Sequence, residues 1–263
     1  MNTPESPATA QGADRSASAV RIADLEAQVL ALQAEMQSLT ATISHDLRAP
    51  LRHITSFAQL VQDEAGPQLN EEMREFLGNI SGAAKTLGSM LDGLLALSSV
   101  GTVALHPEPL DWAALVQALV LERQRALQGQ APGRVVLWSV DDAALPAVQA
   151  DAKLLRQALG HVLDNAVKFT GPQLQAHIRV SASIDATTGQ LHCVVQDNGV
   201  GFAPEQAAQL FKPFVRLHAS SQFAGLGMGL ALVRKSLQRM GGDARISATV
   251  QGGCQVVLLL PLA

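Results

Sequence analysis

Ile22, Leu25, Val29, Leu32, Met36, Leu39 and Ile43 follow one another at spacings that alternate between three and four residues. A mean period of 3.5, held over three heptads, describes a coiled-coil seam rather than the wider stripe of a helix packed on a globular core. Ala, Glu, Gln and Leu dominate the intervening positions, and no Gly or Pro interrupts them. Such a seam requires a second helix of its own kind, so a homodimer is the expected state.

The helical pattern continues through Leu47, Leu51, Ile54, Ala58 and Val61, with a local kink expected at Pro50, until Gly66-Pro67 breaks it. Asn70 is the natural N-cap of a second helix that carries Phe76, Ile80, Ala84, Leu87, Leu91 and Leu94 and ends near Gly101. Two long helices joined by a short loop make a hairpin that cannot bury its apolar face alone. Pairing two copies makes a four-helix bundle. Ahead of the seam, residues 1–18 are rich in Pro, Ser, Thr, Ala and Gly without periodicity and read as a disordered leader.

From His106-Pro107 onward the pattern is mixed α/β. Strands are expected at 134–140, 175–183, 191–197, 244–250 and 254–260, and helices at 111–127, 151–169 and 228–240. The last four strands fall in pairs with hairpin turns at 187–189 and 251–253. The expected fold class is therefore α plus α/β: a dimeric helical hairpin followed by an α/β sandwich, with helices on one face of a mostly antiparallel sheet. The expected division is a leader (1–18), a coiled coil and hairpin (19–104) and an α/β domain (105–263).

Composition excludes several classes of function. The net charge of −4, from 19 basic and 23 acidic residues, supplies no field for nucleic-acid phosphates. Aromatic residues make up 3% of the 263 residues and tyrosine is absent, which argues against base-stacking platforms. Cys193 and Cys254 are the only cysteines, too few for a disulfide framework or a four-cysteine zinc site. No apolar run approaches the ~18–20 residues of a membrane span, and the opening MNTPESPATAQGADRS lacks the basic start and apolar stretch of a secretory signal. A cytoplasmic location is expected.

Four constellations carry chemistry. In the heptad frame His45 falls on the solvent side beside Asp46, where a neutral imidazole is a competent nucleophile and a carboxylate can orient its tautomer. Asn165 and Lys168 share a helix face; an amide oxygen suits Mg²⁺ and a lysine suits phosphate. Asp197, at a strand end, can accept a hydrogen bond from an exocyclic amine, with Gly199 and Gly201 allowing close backbone approach. Gly225, Gly227 and Gly229 open a helix whose N–H groups attract phosphate. Each alone has an ordinary explanation: a surface histidine, a polar helix face, an Asp-Asn-Gly turn, a flexible loop. Neither the dinucleotide-fold spacing nor a Walker motif is present.

In order and in combination these motifs, with the Phe211/Phe214 pair before the glycine loop, resemble the transmitter region of sensor histidine kinases. The phrase SHDLRAPLRHI, with VRLH ahead of the glycines, is most similar to the phytochrome-like branch. The resemblance runs from about residue 22 to the C-terminus and implies a phosphoacceptor hairpin followed by a Bergerat-type ATP-binding domain. It implies that His45 accepts phosphate with Asp46 as its acidic partner, that Asn165 holds Mg²⁺, and that Lys168 lies near the phosphates. It also implies that Asp197 reads adenine and that residues 202–224 form an ATP lid. Phe211 and Phe214 would anchor that lid, with Arg216 reaching toward the γ-phosphate. The implied cofactors are ATP and Mg²⁺. The implied partners are a second copy, the receiver domain of a separate response regulator, and an upstream sensor protein.

Three positions depart from the family pattern. Ala49 stands where Thr or Asn often positions water for dephosphorylating the partner. His161 replaces a common Asn four residues before Asn165, and Leu226 replaces a Ser or Thr in the glycine loop. The rival readings are a catalytically inactive dimeric scaffold that still binds ATP, and a non-kinase ATPase of the same superfamily.

Overall fold

In the computed structural model the backbone is described for residues 7–130, 133–141, 147–219 and 221–262. Helix α1 spans Pro7–Ala65 and helix α2 spans Glu71–Thr102, joined through a 3₁₀ turn at Gly66–Gln68. Residues 1–6 of the expected leader lie outside the described residues, but from Pro7 the backbone is already helical. Proline is favoured in the first turn of a helix, and no further proline occurs before Pro50, so the seam helix extends back through the low-complexity stretch. Asn70 caps α2 as expected: the N–H of Met73 donates to its Oδ1 at 2.8 Å, and Glu71 and Glu72 add negative charge in the first turn.

Small side chains let the two helices approach, with Ser44, Ala58 and Ala84 buried between them. Arg48 donates to Asp92 at 2.6 Å and fixes the register of α1 against α2. The seam residues from Ile22 to Ile43, together with Phe57, Phe76 and Ile80, remain exposed. No helix among the described residues is long and apolar enough to cross a membrane.

The second unit contains β1 (Pro107–Leu110), α3 (Trp112–Gln130), β2 (Val136–Val140), β3 (Val148–Asp151) and α4 (Ala152–Phe169), then β4 (Ala176–Ile184), β5 (Gln190–Asp197), α5 (Gly229–Arg239), β6 (Asp243–Ala248) and β7 (Cys254–Pro261). Five strands form one sheet in the order β2-β4-β5-β7-β6, parallel only between β2 and β4. Helix α4 makes the crossover that a parallel pair demands. On β4, Ala176, Ile178 and Val180 point into the core while His177 and Arg179 face outward, so α3, α4 and α5 cover a single face. The expected sandwich is observed, with one addition. β1 and β3 form a separate antiparallel pair, Pro107 opposite Asp151 and Leu110 opposite Val148.

The two units touch. Met228, just ahead of α5, packs against α2 at Gly93, where a β-carbon would lie 2.9 Å from its Cγ. At the end of α2, the Arg239 guanidinium donates to the carbonyl oxygens of Gly101 and Val103. Cations are favoured at helix C-termini, where carbonyls lack intrahelical partners.

Candidate active site

On the hairpin, the His45 side chain is 85% exposed and its Nδ1 lies 3.1 Å from Asp46 Oδ1. With an Nδ1 proton donated to that carboxylate, the lone pair sits on Nε2, facing solvent.

On the α/β unit, α4, β5, the 202–224 segment and the glycine loop enclose a cavity of about 450 Å³. Helix α4 is built for this position. Asp151 caps it, accepting from the N–H of Leu154 at 3.0 Å, and Leu155, Leu159, Val162 and Ala166 bury one face in the core. The other face presents His161, Asp164, Asn165 and Lys168 to the cavity. Arg123 of α3 donates from Nε to Asp164 Oδ1 at 3.1 Å and braces this face from behind. Burial lowers the pKa of His161 and so favours its neutral imidazole. Burial, and then the charge of Arg216, lower that of Lys168. An anionic ligand here would oppose that shift.

Asp197 closes β5 and is 8% exposed. Burial pushes its carboxyl up to about 6, against the pull of backbone N–H donors from Gly199, at 2.8 Å, and Cys254. Gly201 turns with φ 59°, and any side chain there would run into the Thr249 carbonyl. The glycine loop is tied to the segment before it, since the N–H of Phe214 donates to the Gly227 carbonyl at 3.1 Å. Further along, Arg216 donates from Nη2 to the Phe223 carbonyl at 2.6 Å.

A carboxylate at the cavity floor, a lysine and an amide on one wall, and a glycine-lined helix start at the mouth suit a purine nucleotide with its phosphates. The chain matches the His Kinase A (phospho-acceptor) domain over residues 35–102. It matches the histidine kinase-, DNA gyrase B-, and HSP90-like ATPase domain over residues 150–263. The chain carries the phospho-acceptor and ATPase domains of the sensor histidine kinases.

Among the relatives of this transmitter region is the circadian input-output histidine kinase CikA of Synechococcus elongatus, 32% identical over 90% of this chain and 31% of CikA. Cyanobacterial phytochrome A of Nostoc is 28% identical over 87% of this chain and 29% of its own length, in keeping with the phytochrome-like resemblance. The chain thus spans about a third of the length of these relatives. Among solved structures, full-length ShkA in complex with AMPPNP superimposes with a TM-score of 0.61 at 27% identity, covering 86% of this chain and 46% of that one.

The cavity of the transmitter region gathers most of the expected residues: Asn165, Lys168, Asp197, Gly201, Arg216, Gly225, Gly227 and Gly229 all lie on its wall. Gly199, Phe211 and Phe214 do not. Gly199 serves Asp197 through its N–H, and a β-carbon there would stand 2.7 Å from the Phe169 carbonyl. Phe211 packs on the core with the Arg234 guanidinium 5.1 Å from its ring centroid. Phe214 is partly exposed in a left-handed turn, φ 64°.

Sequence reasoning missed an aromatic cluster. Phe169, His218 and Phe223 pack together on the cavity wall, with ring centroids 5.0 to 5.6 Å apart. Lys168 Nζ stands 4.4 Å from the Phe169 centroid, which adds a cation–π contact to the phosphate-side wall. The signal lay in the motifs themselves, since an aromatic residue ends NAVKF and a histidine ends VRLH.

Proposed function

We propose that the chain is an ATP-dependent protein-histidine kinase that phosphorylates His45 and passes the phosphoryl group to an aspartate of a separate response regulator. The observation that carries this reading is the pairing of a solvent-facing imidazole, oriented by Asp46 at 3.1 Å, with a cavity whose walls suit ATP. His45 Nε2 attacks the γ-phosphorus, the bond to the β,γ-bridging oxygen breaks, and ADP departs. The carboxylate of Asp46 stabilises the positive charge that develops on the ring, and the Nδ1 proton stays in that hydrogen bond. Asp197 accepts from the adenine amine, while Lys168 and Arg216 attract the phosphates.

Asn165 gives the cavity an amide oxygen, a hard donor that fits Mg²⁺ with water and phosphate supplying further ligands. When bound, the ion supplies charge neutralisation on the phosphates. The contact of Met228 with Gly93 supports delivery to the hairpin. Gly93 adjoins Asp92, which pairs with Arg48, so the glycine loop docks within about one helical turn of the level of His45. Incubation with γ-labelled ATP tests the reading: the label is expected to be acid-labile and base-stable. No label, or a label of the opposite stability, rejects it.

A parallel homodimer through residues 20–100 belongs to the same proposal, because the seam from Ile22 to Ile43 is exposed in the single chain. Sedimentation is expected to give a dimer at micromolar concentration and a monomer once residues 20–100 are deleted.

The protein is also expected to be a poor phosphatase toward its partner. Hydrolysis of an aspartyl phosphate needs an oriented water, and Ala49, one turn beyond His45, can neither donate nor accept a hydrogen bond. Losing one orienting contact costs about ten- to a thousandfold. Partner dephosphorylation measured with the parent and with Ala49→Thr is expected to rise in the variant. Strong parental activity that Ala49→Thr leaves unimproved assigns the water to another residue.

A further inference from the structure

His218 sits in the segment over the cavity and makes two kinds of contact at once. Its Nε2 lies 3.1 Å from the carbonyl oxygen of Gly201, in the turn that follows Asp197. Its ring packs against Phe169, at the end of α4, and against Phe223, at the far end of the same segment. The carbonyl of Phe223 in turn accepts from the Arg216 guanidinium at 2.6 Å. One imidazole therefore ties the segment to the Asp197 turn and to α4, while the residue it stacks on holds the arginine that faces the phosphate side.

We propose that His218 is a positioning residue that clamps the 202–224 segment over the nucleotide and, through Phe223, sets the place of Arg216. The inference rests on the kinase reading for its kinetic consequence, though not for the clamp itself. The Nε2 proton is donated to the Gly201 carbonyl, and the ring fills the gap between two phenylalanines. A side chain that supplies only one of these contacts does half the work.

His218→Phe keeps the ring and removes the donor, whereas His218→Gln keeps a donor and removes the ring. In autophosphorylation, His218→Phe is expected to lower kcat about tenfold with little change in the KM for ATP, the loss expected for one hydrogen bond. Because Arg216 is the residue positioned, the variant Arg216→Ala combined with His218→Phe is expected to be no slower than Arg216→Ala alone. Losses that multiply in the double variant, or a rise in KM with kcat unchanged, overturn the proposal. Limited trypsin digestion at the Arg216–Leu217 bond, with AMPPNP and Mg²⁺ present, provides a readout free of phosphoryl transfer. Cleavage is expected to be several-fold faster in both His218→Phe and His218→Gln than in the parent, and equal rates overturn the clamp. A parent that binds AMPPNP yet never labels itself rejects the kinase reading, and the digestion then decides the clamp on its own.

Discussion

Replacing His45 with glutamine is expected to abolish base-stable labelling from γ-labelled ATP, a loss of at least about a thousandfold. The amide keeps roughly the size and polarity of the imidazole but has no nucleophilic lone pair. His45 stands on the hairpin, outside the cavity wall, so calorimetric titration of the variant with ATP is expected to match the parent. Those two results together assign the loss to the acceptor atom. Full labelling in the variant moves the acceptor elsewhere; lost labelling with lost ATP affinity points to disrupted structure instead.

Asp197→Asn is expected to weaken ATP binding about ten- to a hundredfold while leaving the dimer intact. The asparagine can present an NH₂ group to the adenine amine, and an unpaired buried polar group costs about 1–3 kcal/mol. The carboxyl, pushed by burial up to about 6, adds a pH signature. An amine that donates to the ionised form favours that form and lowers its pKa on binding. Affinity is therefore fully present above pH 6 and declines as the pH falls through it. Adenosine is the suitable probe because it lacks phosphates that titrate in the same range. Calorimetric titrations on either side of pH 6 are expected to show this fall for the parent and a flat profile for Asp197→Asn. Equal affinity in the two proteins removes Asp197 from adenine recognition.

The features legible in the sequence are those that repeat or that punctuate. The 3.5-residue seam, the cap at Asn70 and the hairpin strands each follow from local periodicity or a local hydrogen bond. β1 and β3 escaped because each has four residues and β1 carries two prolines; only their pairing, Pro107 opposite Asp151 across a long stretch of chain, defines them. The start of α1 escaped because composition favoured a leader where a continuous helix prevailed. In the site, residues on one helix or one turn were found together: Asn165 with Lys168, Asp197 with Gly201. The cluster of Phe169, His218 and Phe223 draws on separate segments and carries no spacing of its own. Neither does Gly93, a helical glycine whose significance appears only once Met228 lies against it.

Only residues 103–106 separate the end of α2 from the start of β1. Such a tether reaches at most about 14 Å when fully extended, and Arg239 grips its root at Gly101 and Val103. On the proposed reading, donor and acceptor are thereby held within one assembled particle at a local concentration on the order of millimolar, whatever the bulk dilution. Phosphoryl transfer, on that reading, is a first-order property of each assembled particle. Cellular abundance then governs how many particles report a signal, and the geometry of a short strap governs how fast each one answers.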